Sequence, residues 1–234
     1  EVRAVIKQFN PAVYKFNDET FGFNAGRANR ILDSIIEEGL TATPKYASMR
    51  ADRVDPQILQ KMKRAGFTYI DYGVESGNPE ILKAVKKGVT LEQTGKAVAM
   101  TKKAGIKVGV NVIVGHPDET RETAGQTIDY AVKLNADLTA IGIMVPYPGT
   151  EVAELAKQGK GGYKILSTDW RDFNKQVGNA LELKGLSRRD MEAIQALGYL
   201  KIYAYNFRIK ELFNFIRMYR KAGWRFLKKY FAIE

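Results

Sequence analysis

The sequence predicts an α/β protein built on a parallel β-sheet. Helices of roughly 10–15 residues alternate with short β-rich segments, which is the pattern of βαβ crossovers. Polar residues occur directly after the predicted strands, whereas the connections that lead into the strands carry no comparable polar groups. The 234 residues are 45% hydrophobic, enough for one large core or a core with an appendage. A doubly wound sheet and a (β/α) barrel both fit, and both bind ligands at the carboxyl ends of their strands.

The alternation can be followed along the chain after an amphipathic helix at residues 1–9. The predicted strands are Val13–Phe16, Tyr46–Met49, Phe67–Tyr72, Ile106–Val114 and Asp137–Val145. The predicted helices are Ala25–Glu38, Pro56–Ala65, Pro79–Lys87, Leu91–Lys103, Glu119–Leu134 and Thr150–Lys157. Asp55 and Thr90 precede two of these helices as N-caps, and Gly66 and Gly105 follow as stops.

The character of the chain changes near residue 160. A glycine-rich loop at residues 159–162 is followed by a polar, irregular stretch and then by a helical, basic and aromatic segment, Ser187–Phe231. We therefore divide the chain into a barrel domain, residues 1–160, and a C-terminal helical extension, residues 161–234.

Composition excludes several classes of protein. The chain has no cysteine and a single histidine, His116, so it holds no disulfide and no zinc or iron site made of His and Cys. No run approaches the ~20 apolar residues of a membrane span. Neither the dinucleotide-binding fingerprint nor the P-loop motif is present. The first residues show neither an initiator Met nor a signal peptide, so we expect a segment upstream of Glu1.

The net charge of +11 is concentrated near the C-terminus. Nine Lys and Arg residues lie between Lys201 and Lys229, against one acid, Glu211. Aromatic residues interleave with these cations. Three interpretations stay open: aromatics packed on the barrel with a solvated basic face, an amphipathic helix on an anionic membrane surface, and, least favoured, nucleic-acid binding. We expect a cytoplasmic protein, with membrane association under the second interpretation.

Polar residues follow each predicted strand, and each has a plain alternative role. Asp18 and Glu19 could act as acid and base, or one of them caps the next turn. Arg50 could hold a carboxylate, or pair with a neighbouring acid such as Asp52. Glu75 could accept hydrogen bonds from ligand hydroxyls, or complement the N-terminus of the following helix. Alone, none of these residues defines a site.

Five motifs recur in an order that resembles a known family, the radical S-adenosylmethionine (SAM) enzymes, and in particular the group with an N-terminal cobalamin-binding domain. The resemblance covers roughly residues 1–160. The matching segments are FNDETF from Phe16, RADRVD from Arg50, YGVESGNPEILKAVKKGVT from Tyr72, VNVIVGHPDET from Val110 and PYPGTE from Pro146.

The resemblance implies a partial (β/α)6 barrel without its first strand, with SAM lying across the carboxyl ends of the strands. It places Asp18 and Glu19 at the methionine end, Arg50 near the methionine carboxylate, and Glu75 and Ser76 near the ribose and methionine. The strand around Asn111 would face adenine, although Asn111 replaces the family's glycine and Glu119 comes one place late. The implied cofactor-binding residues are Asp18, Glu19, Arg50, Glu75, Ser76, Asn111, Gly115 and Pro146.

The family holds a [4Fe–4S] cluster through C-x-x-x-C-x-x-C, which this chain lacks. We therefore expect the cluster ligands upstream, and this chain alone to be inactive. With that segment, the resemblance implies cleavage of SAM to a 5′-deoxyadenosyl radical that modifies a small-molecule substrate, with cobalamin as a further candidate cofactor and its domain as a partner. The alternative is a non-catalytic barrel remnant that serves as a binding or scaffold module. No catalytic residue is assigned.

Overall fold

The computed structural model describes residues 1–176 and 178–218, and a parallel five-stranded sheet forms its centre. The strands are β1 (Tyr14–Lys15), β2 (Lys45–Met49), β3 (Phe67–Glu75), β4 (Lys107–Val114) and β5 (Leu138–Ile143). Their order in space is their order in the chain. In a doubly wound sheet the order of the strands reverses at one point, whereas in a barrel each new strand lies beside the previous one. The predicted partial barrel is confirmed.

Helices follow the strands and cover one face of the sheet. The helices are α1 (Val2–Phe9), α2 (Ala25–Glu37), α3 (Pro56–Arg64), α4 (Pro79–Ala84), α5 (Leu91–Lys103), α6 (Arg121–Leu134), α7 (Glu151–Lys157) and α8 (Arg188–Tyr205). Tyr72 shows how the core forms: it is fully buried, and its hydroxyl bonds Thr101 of α5 at 2.7 Å. Val110 and Ile141 face the same apolar layer, which leaves alternate residues for the concave face.

Local chemistry set several boundaries where they were expected. The Asp55 carboxylate accepts hydrogen bonds from Gln57 N at 2.8 Å and Ile58 N at 2.9 Å, so it caps α3. Thr90 forms a capping box with Gln93 at the start of α5. Both predicted N-caps are confirmed.

Several boundaries differ from the predicted ones, and two of these differences, both at helices, shape the site. Helix α4 ends at Ala84 rather than Lys87, because Lys86 takes the left-handed conformation with φ 55° and turns the chain away. Helix α6 begins at Arg121 rather than Glu119, because the Thr120 hydroxyl is the cap. Glu119 therefore lies in the loop before α6 and not in the helix.

The C-terminal segment contains a hairpin that the sequence did not predict. Strands β6 (Tyr163–Ile165) and β7 (Leu181–Leu183) pair antiparallel before α8, which packs on α6 and β5. Tyr163 and Leu183 belong to the same apolar core as the sheet. The division at residue 160 stays a prediction. Residues 209–218 are helical, and the rest of the predicted helical tail lies outside the described residues.

The two edge strands of the sheet differ in how their backbone groups are paired. At the β5 edge, Ile143 N donates to Lys175 O at 2.8 Å, and Ile141 N donates to the Tyr199 hydroxyl at 3.0 Å. Gln195 Nε2 donates to Ile141 O at 2.6 Å. Strand β1 is the other edge, and within the described residues no strand pairs with its outer side. No helix in this part of the chain is long and apolar enough to cross a membrane.

Candidate functional site

A cavity of about 380 Å³ opens at the carboxyl ends of the central strands and extends down their concave face. The predicted residues Glu19, Arg50, Glu75 and Asn111 all line it. Glu19, Arg50 and Glu75 come from the ends of three consecutive strands and Asn111 from the middle of the fourth, so the parallel order of the sheet brings them together. The size is near the lower end of small-molecule sites, which span ~300–1,000 Å³.

Glu75 forms the charged centre of this cavity together with a residue that the sequence interpretation missed. Lys87 Nζ lies 2.9 Å from Glu75 Oε1, and the two side chains are 19% and 24% exposed. Glu75 itself has φ 64°, which is unusual for a residue with a side chain. A Cβ on Gly73 would lie 2.6 Å from Glu75 Oε1, so this glycine leaves room for the pair.

The early end of α4 explains how Lys87 reaches the cavity. Lys86 turns the chain at φ 55° and Gly88 turns it again at φ 65°, so Lys87 projects towards β3. The only sequence signal was a lysine pair directly before a glycine. A helix continued to Lys87, as predicted, would have hidden this role.

Arg50 lies at the cavity wall, but its guanidinium is largely engaged. It donates to both carboxylate oxygens of Asp52, at 3.0 and 3.1 Å, and to Lys87 O at 3.3 Å. Burial alone would raise the pKa of Asp52, and the hydrogen bonds and charge of Arg50 outweigh it and hold that pKa below its usual value. The ion-pair alternative for Arg50 is therefore realised with Asp52.

The other four predicted residues lie outside the cavity wall. Asp18 accepts a hydrogen bond from Arg27 Nη1 at 2.7 Å and borders a neighbouring groove. Ser76 is fully buried and bonds the Thr127 hydroxyl at 3.0 Å. Gly115 is enclosed next to Met191, and Pro146 is buried. Their contact with a ligand stays a prediction.

A buried polar cluster braces the loop after β4. Glu119 is 2% exposed, and its Oε2 accepts from Gly115 N at 2.5 Å and His116 N at 3.2 Å. Burial raises the pKa of Glu119 to about 7, against the opposing effect of these two bonds. Burial also lowers the pKa of His116, whose Nε2 lies 3.4 Å from Glu75 O. This cluster therefore fixes the ends of β3 and β4 relative to each other.

The described residues contain no group of His, Cys, Asp and Glu that could hold a metal ion. The whole chain also lacks cysteine, the ligand of iron–sulfur clusters. The donor set therefore does not fit a [4Fe–4S] cluster, and any such cluster needs ligands from outside this chain. The cavity, by contrast, offers charged and amide groups that suit a zwitterionic ligand.

A parallel half barrel with a charged cavity at its strand ends defines the class of (β/α)-barrel proteins that bind a small ligand there. The family model of the radical SAM superfamily matches residues 30–131, which include β2, β3 and β4. Residues 30–131 of the chain therefore belong to the radical SAM superfamily. Members of this family use SAM and a [4Fe–4S] cluster.

Two curated relatives of this chain are named as transferases. The chain is 33% identical over 189 residues to an uncharacterized methyltransferase of Pyrococcus horikoshii, covering 81% of this chain and 40% of the relative. It is 37% identical over 127 residues to a putative methylthiotransferase of Methanocaldococcus jannaschii, covering 53% of this chain and 28% of the relative. The chain thus spans less than half the length of these relatives.

The fold is shared with a solved enzyme. The radical SAM methyltransferase TsrM from Kitasatospora setae, with cobalamin and a [4Fe–4S] cluster bound, superposes with a TM-score of 0.65. The identity is 18%, and the match covers 93% of this chain and 55% of TsrM. At this identity the likeness shows the fold alone, including the segment after residue 160.

Proposed function

We propose that this chain is the SAM-binding barrel of an enzyme that generates a 5′-deoxyadenosyl radical and modifies a small-molecule substrate. The observation that carries the proposal is the Glu75–Lys87 pair in a cavity at the carboxyl ends of the strands. The [4Fe–4S] cluster, which supplies the electron in this family, would be held by cysteines outside this chain. Without them the chain alone should be inactive.

Lys87 and Glu75 offer opposite charges to the methionine part of SAM. Lys87 uses one of its three N–H donors on Glu75, so it can still donate to a ligand carboxylate. Glu75 can accept hydrogen bonds from the ligand ammonium or a ribose hydroxyl. Asn111, exposed on β4 at the cavity wall, adds an amide that donates and accepts. Together these residues would orient the ligand across the strand ends.

A titration of SAM into the full-length protein that contains this chain tests the proposal. Lys87→Met should weaken SAM binding about tenfold, since a charge-assisted hydrogen bond contributes roughly 1.5 kcal/mol or more. Glu75→Gln should weaken it similarly. Lys86→Met is the matched control, because Lys86 pairs with Glu151 on the exposed surface. Wild-type affinity in both cavity variants would refute the proposed site.

We further propose that the reaction is a methyl or methylthio transfer. The support comes from the names of two relatives, an uncharacterized methyltransferase and a putative methylthiotransferase. We include cobalamin as a further cofactor, bound by a domain outside this chain, because of the family resemblance. The non-catalytic alternative is weaker, because these relatives are named as transferases. An absorbance spectrum of the full-length protein would show whether cobalamin copurifies.

We also propose a peripheral contact with an anionic membrane through the C-terminal helix at residues 209–218. In this helix Ile209, Phe213 and Met218 are 65%, 65% and 73% exposed. Lys210 and Arg217 lie on the same short helix and are exposed. Exposed apolar residues beside cations are typical of interfacial helices. The remaining basic residues lie outside the described part of the chain.

A further inference from the structure

A second polar layer lies deeper in the cavity, below the Glu75–Lys87 pair. Asp71 lines the same cavity and lies four residues before Glu75 on β3, so their Cα atoms are roughly 13 Å apart. The Glu75 carboxylate leans back over Gly73, which lies between them. Its neighbours in the sheet are Ser48 on β2 and Gly109 on β4. An acid in the middle of a central strand is unusual, because parallel strands are normally apolar.

Tyr69 holds the Asp71 carboxylate in one orientation. The Tyr69 hydroxyl donates to Asp71 Oδ1 at 2.7 Å. Burial, together with the bond to Asp71, raises the pKa of Tyr69 well above its usual value, so the hydroxyl keeps its proton. A Cβ on Gly109 would lie 1.9 Å from Tyr69 Oη and 2.0 Å from Asp71 Oδ1. Glycine on the neighbouring strand therefore makes the space that this pair occupies.

Asp71 differs from Glu75 in lacking a cation. Glu75 is paired with Lys87, and the Arg50 guanidinium at the wall with Asp52. Within the described residues, Asp71 makes no salt bridge and its Oδ2 accepts no hydrogen bond. A half-buried carboxylate without a cation nearby is costly, and a cationic ligand would offset that cost.

An aromatic wall of two tyrosine rings lies below this carboxylate on the same face of the sheet, two residues before Ser48 and Asp71 and outside the residues that line the cavity. The rings of Tyr46 and Tyr69 are 5.1 Å apart on neighbouring strands, and Tyr46 is 37% exposed. Such rings favour planar or cationic groups. The carboxylate and the wall together describe one kind of ligand, a cation attached to a flat apolar group.

We propose that Asp71 is a specificity-determining residue that binds a protonated amine on the substrate, while an apolar, planar part of the substrate packs on Tyr46 and Tyr69. This inference rests on the proposed function, since it assigns a substrate class to the same cavity. Tyr69 is a positioning residue that presents the carboxylate. The site takes no part in binding the methionine end of SAM, which lies at the layer above.

Two matched probes test the inference on the full-length protein, by calorimetry or ligand-observed NMR. 2-Phenylethylamine carries an ammonium at neutral pH, and 2-phenylethanol is its neutral counterpart. The wild type should bind the amine about tenfold more tightly than the alcohol. Asp71→Asn keeps the shape and the acceptor for Tyr69 and should abolish the preference. Glu80→Gln, an exposed acid on α4, is the control and should retain it.

The outcomes separate this inference from the proposed function. A wild type without preference for the amine, or an Asp71→Asn variant that keeps it, overturns the inference. Loss of SAM affinity in Asp71→Asn would assign Asp71 to the SAM site and also overturn it. A wild type that prefers the amine but does not bind SAM overturns only the proposed function. Asp71→Ser replaces Asp71→Asn if the latter does not fold.

Discussion

Single residues with unusual environments carry most of the site. Glu75 has a left-handed backbone and lies beside Gly73, whose missing side chain accommodates the carboxylate. Asp71 depends in the same way on Gly109. In both cases a glycine in a central strand weakens the strand locally and makes space for a charged group. These glycines therefore mark the two charged layers of the cavity.

Glu119 gives a prediction of pH-dependent stability. Because burial raises its pKa to about 7, the folded state keeps a proton that the unfolded state loses near its ordinary pKa. The stability contribution is therefore present below about pH 4.5 and lost as the pH rises to about 7. His116, whose pKa is lowered by burial, acts in the opposite direction over part of this range. Because His116 is present in both proteins, its effect cancels when the wild type is compared with a Glu119 variant.

Glu119→Gln should remove the pH-dependent contribution of Glu119. Relative to this variant, the wild type should lose roughly 2–3 kcal/mol of unfolding free energy between about pH 4.5 and pH 8. Chemical denaturation at the two pH values measures it. Glu80→Gln, an exposed acid, should show a constant difference from the wild type. Parallel profiles for Glu119→Gln and wild type would contradict the prediction.

At the scale of elements, the short helix α4 decides where Lys87 points. The left-handed turn at Lys86 costs free energy because a side chain is present. Its exposed pair with Glu151 contributes little in return, since both side chains are about 70% exposed, at 73% and 69%. The turn persists because it ends α4 and delivers Lys87 to Glu75.

The same substitution should have opposite effects at two positions of this region. Lys86→Gly should raise the unfolding free energy by up to roughly 1 kcal/mol, because glycine adopts a positive φ without strain. Lys83→Gly, in the last turn of α4, should lower it by roughly 0.5–1 kcal/mol. Thermal unfolding of both variants measures the pair. A destabilised Lys86→Gly variant would show that the ion pair with Glu151 outweighs the backbone strain.

Elements defined by local chemistry were predictable from the sequence, and those defined by distant contacts were not. Asp55 and Thr90 cap their helices through hydrogen bonds to residues two or three positions away, so the sequence alone predicts these helix starts. The hairpin of β6 and β7 depends on pairing between Tyr163 and Leu183, which no short pattern reveals. The positive φ of Lys86 was equally hidden, because lysine does not favour it.

The candidate site was predictable only in outline. The strand order brings Glu19, Arg50 and Glu75 to one cavity, as the series of strand ends indicated. Asn111, which only the family resemblance implied, lines the same cavity, whereas Gly115 from the predicted end of the fourth strand does not. Ser76 follows Glu75 directly but points into the helix layer, because successive strand residues alternate between faces. Lys87 was missed because the predicted helix continued to Lys87, whereas the left-handed turn at Lys86 ends α4 earlier.

For the whole molecule, the C-terminal helix predicts a salt-sensitive membrane association. The full-length protein should cosediment with anionic vesicles but not with uncharged ones, and less at high salt. Lys210→Glu combined with Arg217→Glu should reduce binding several-fold, because each basic residue near an anionic surface contributes about 1 kcal/mol. Lys103→Glu, an exposed change at the end of α5, is the control and should bind as wild type. Absence of binding to anionic vesicles would refute the contact.

The unequal edges of the sheet also limit how copies of this chain can associate. The β5 edge is occupied by hydrogen bonds from the segment around Lys175 and from α8, which leaves β1 as the open edge of the described sheet. A sheet with two open edges can be extended without limit, as in fibrils. A sheet with one open edge can join only one other copy. Edge-to-edge pairing through the described strands alone would therefore stop at a dimer.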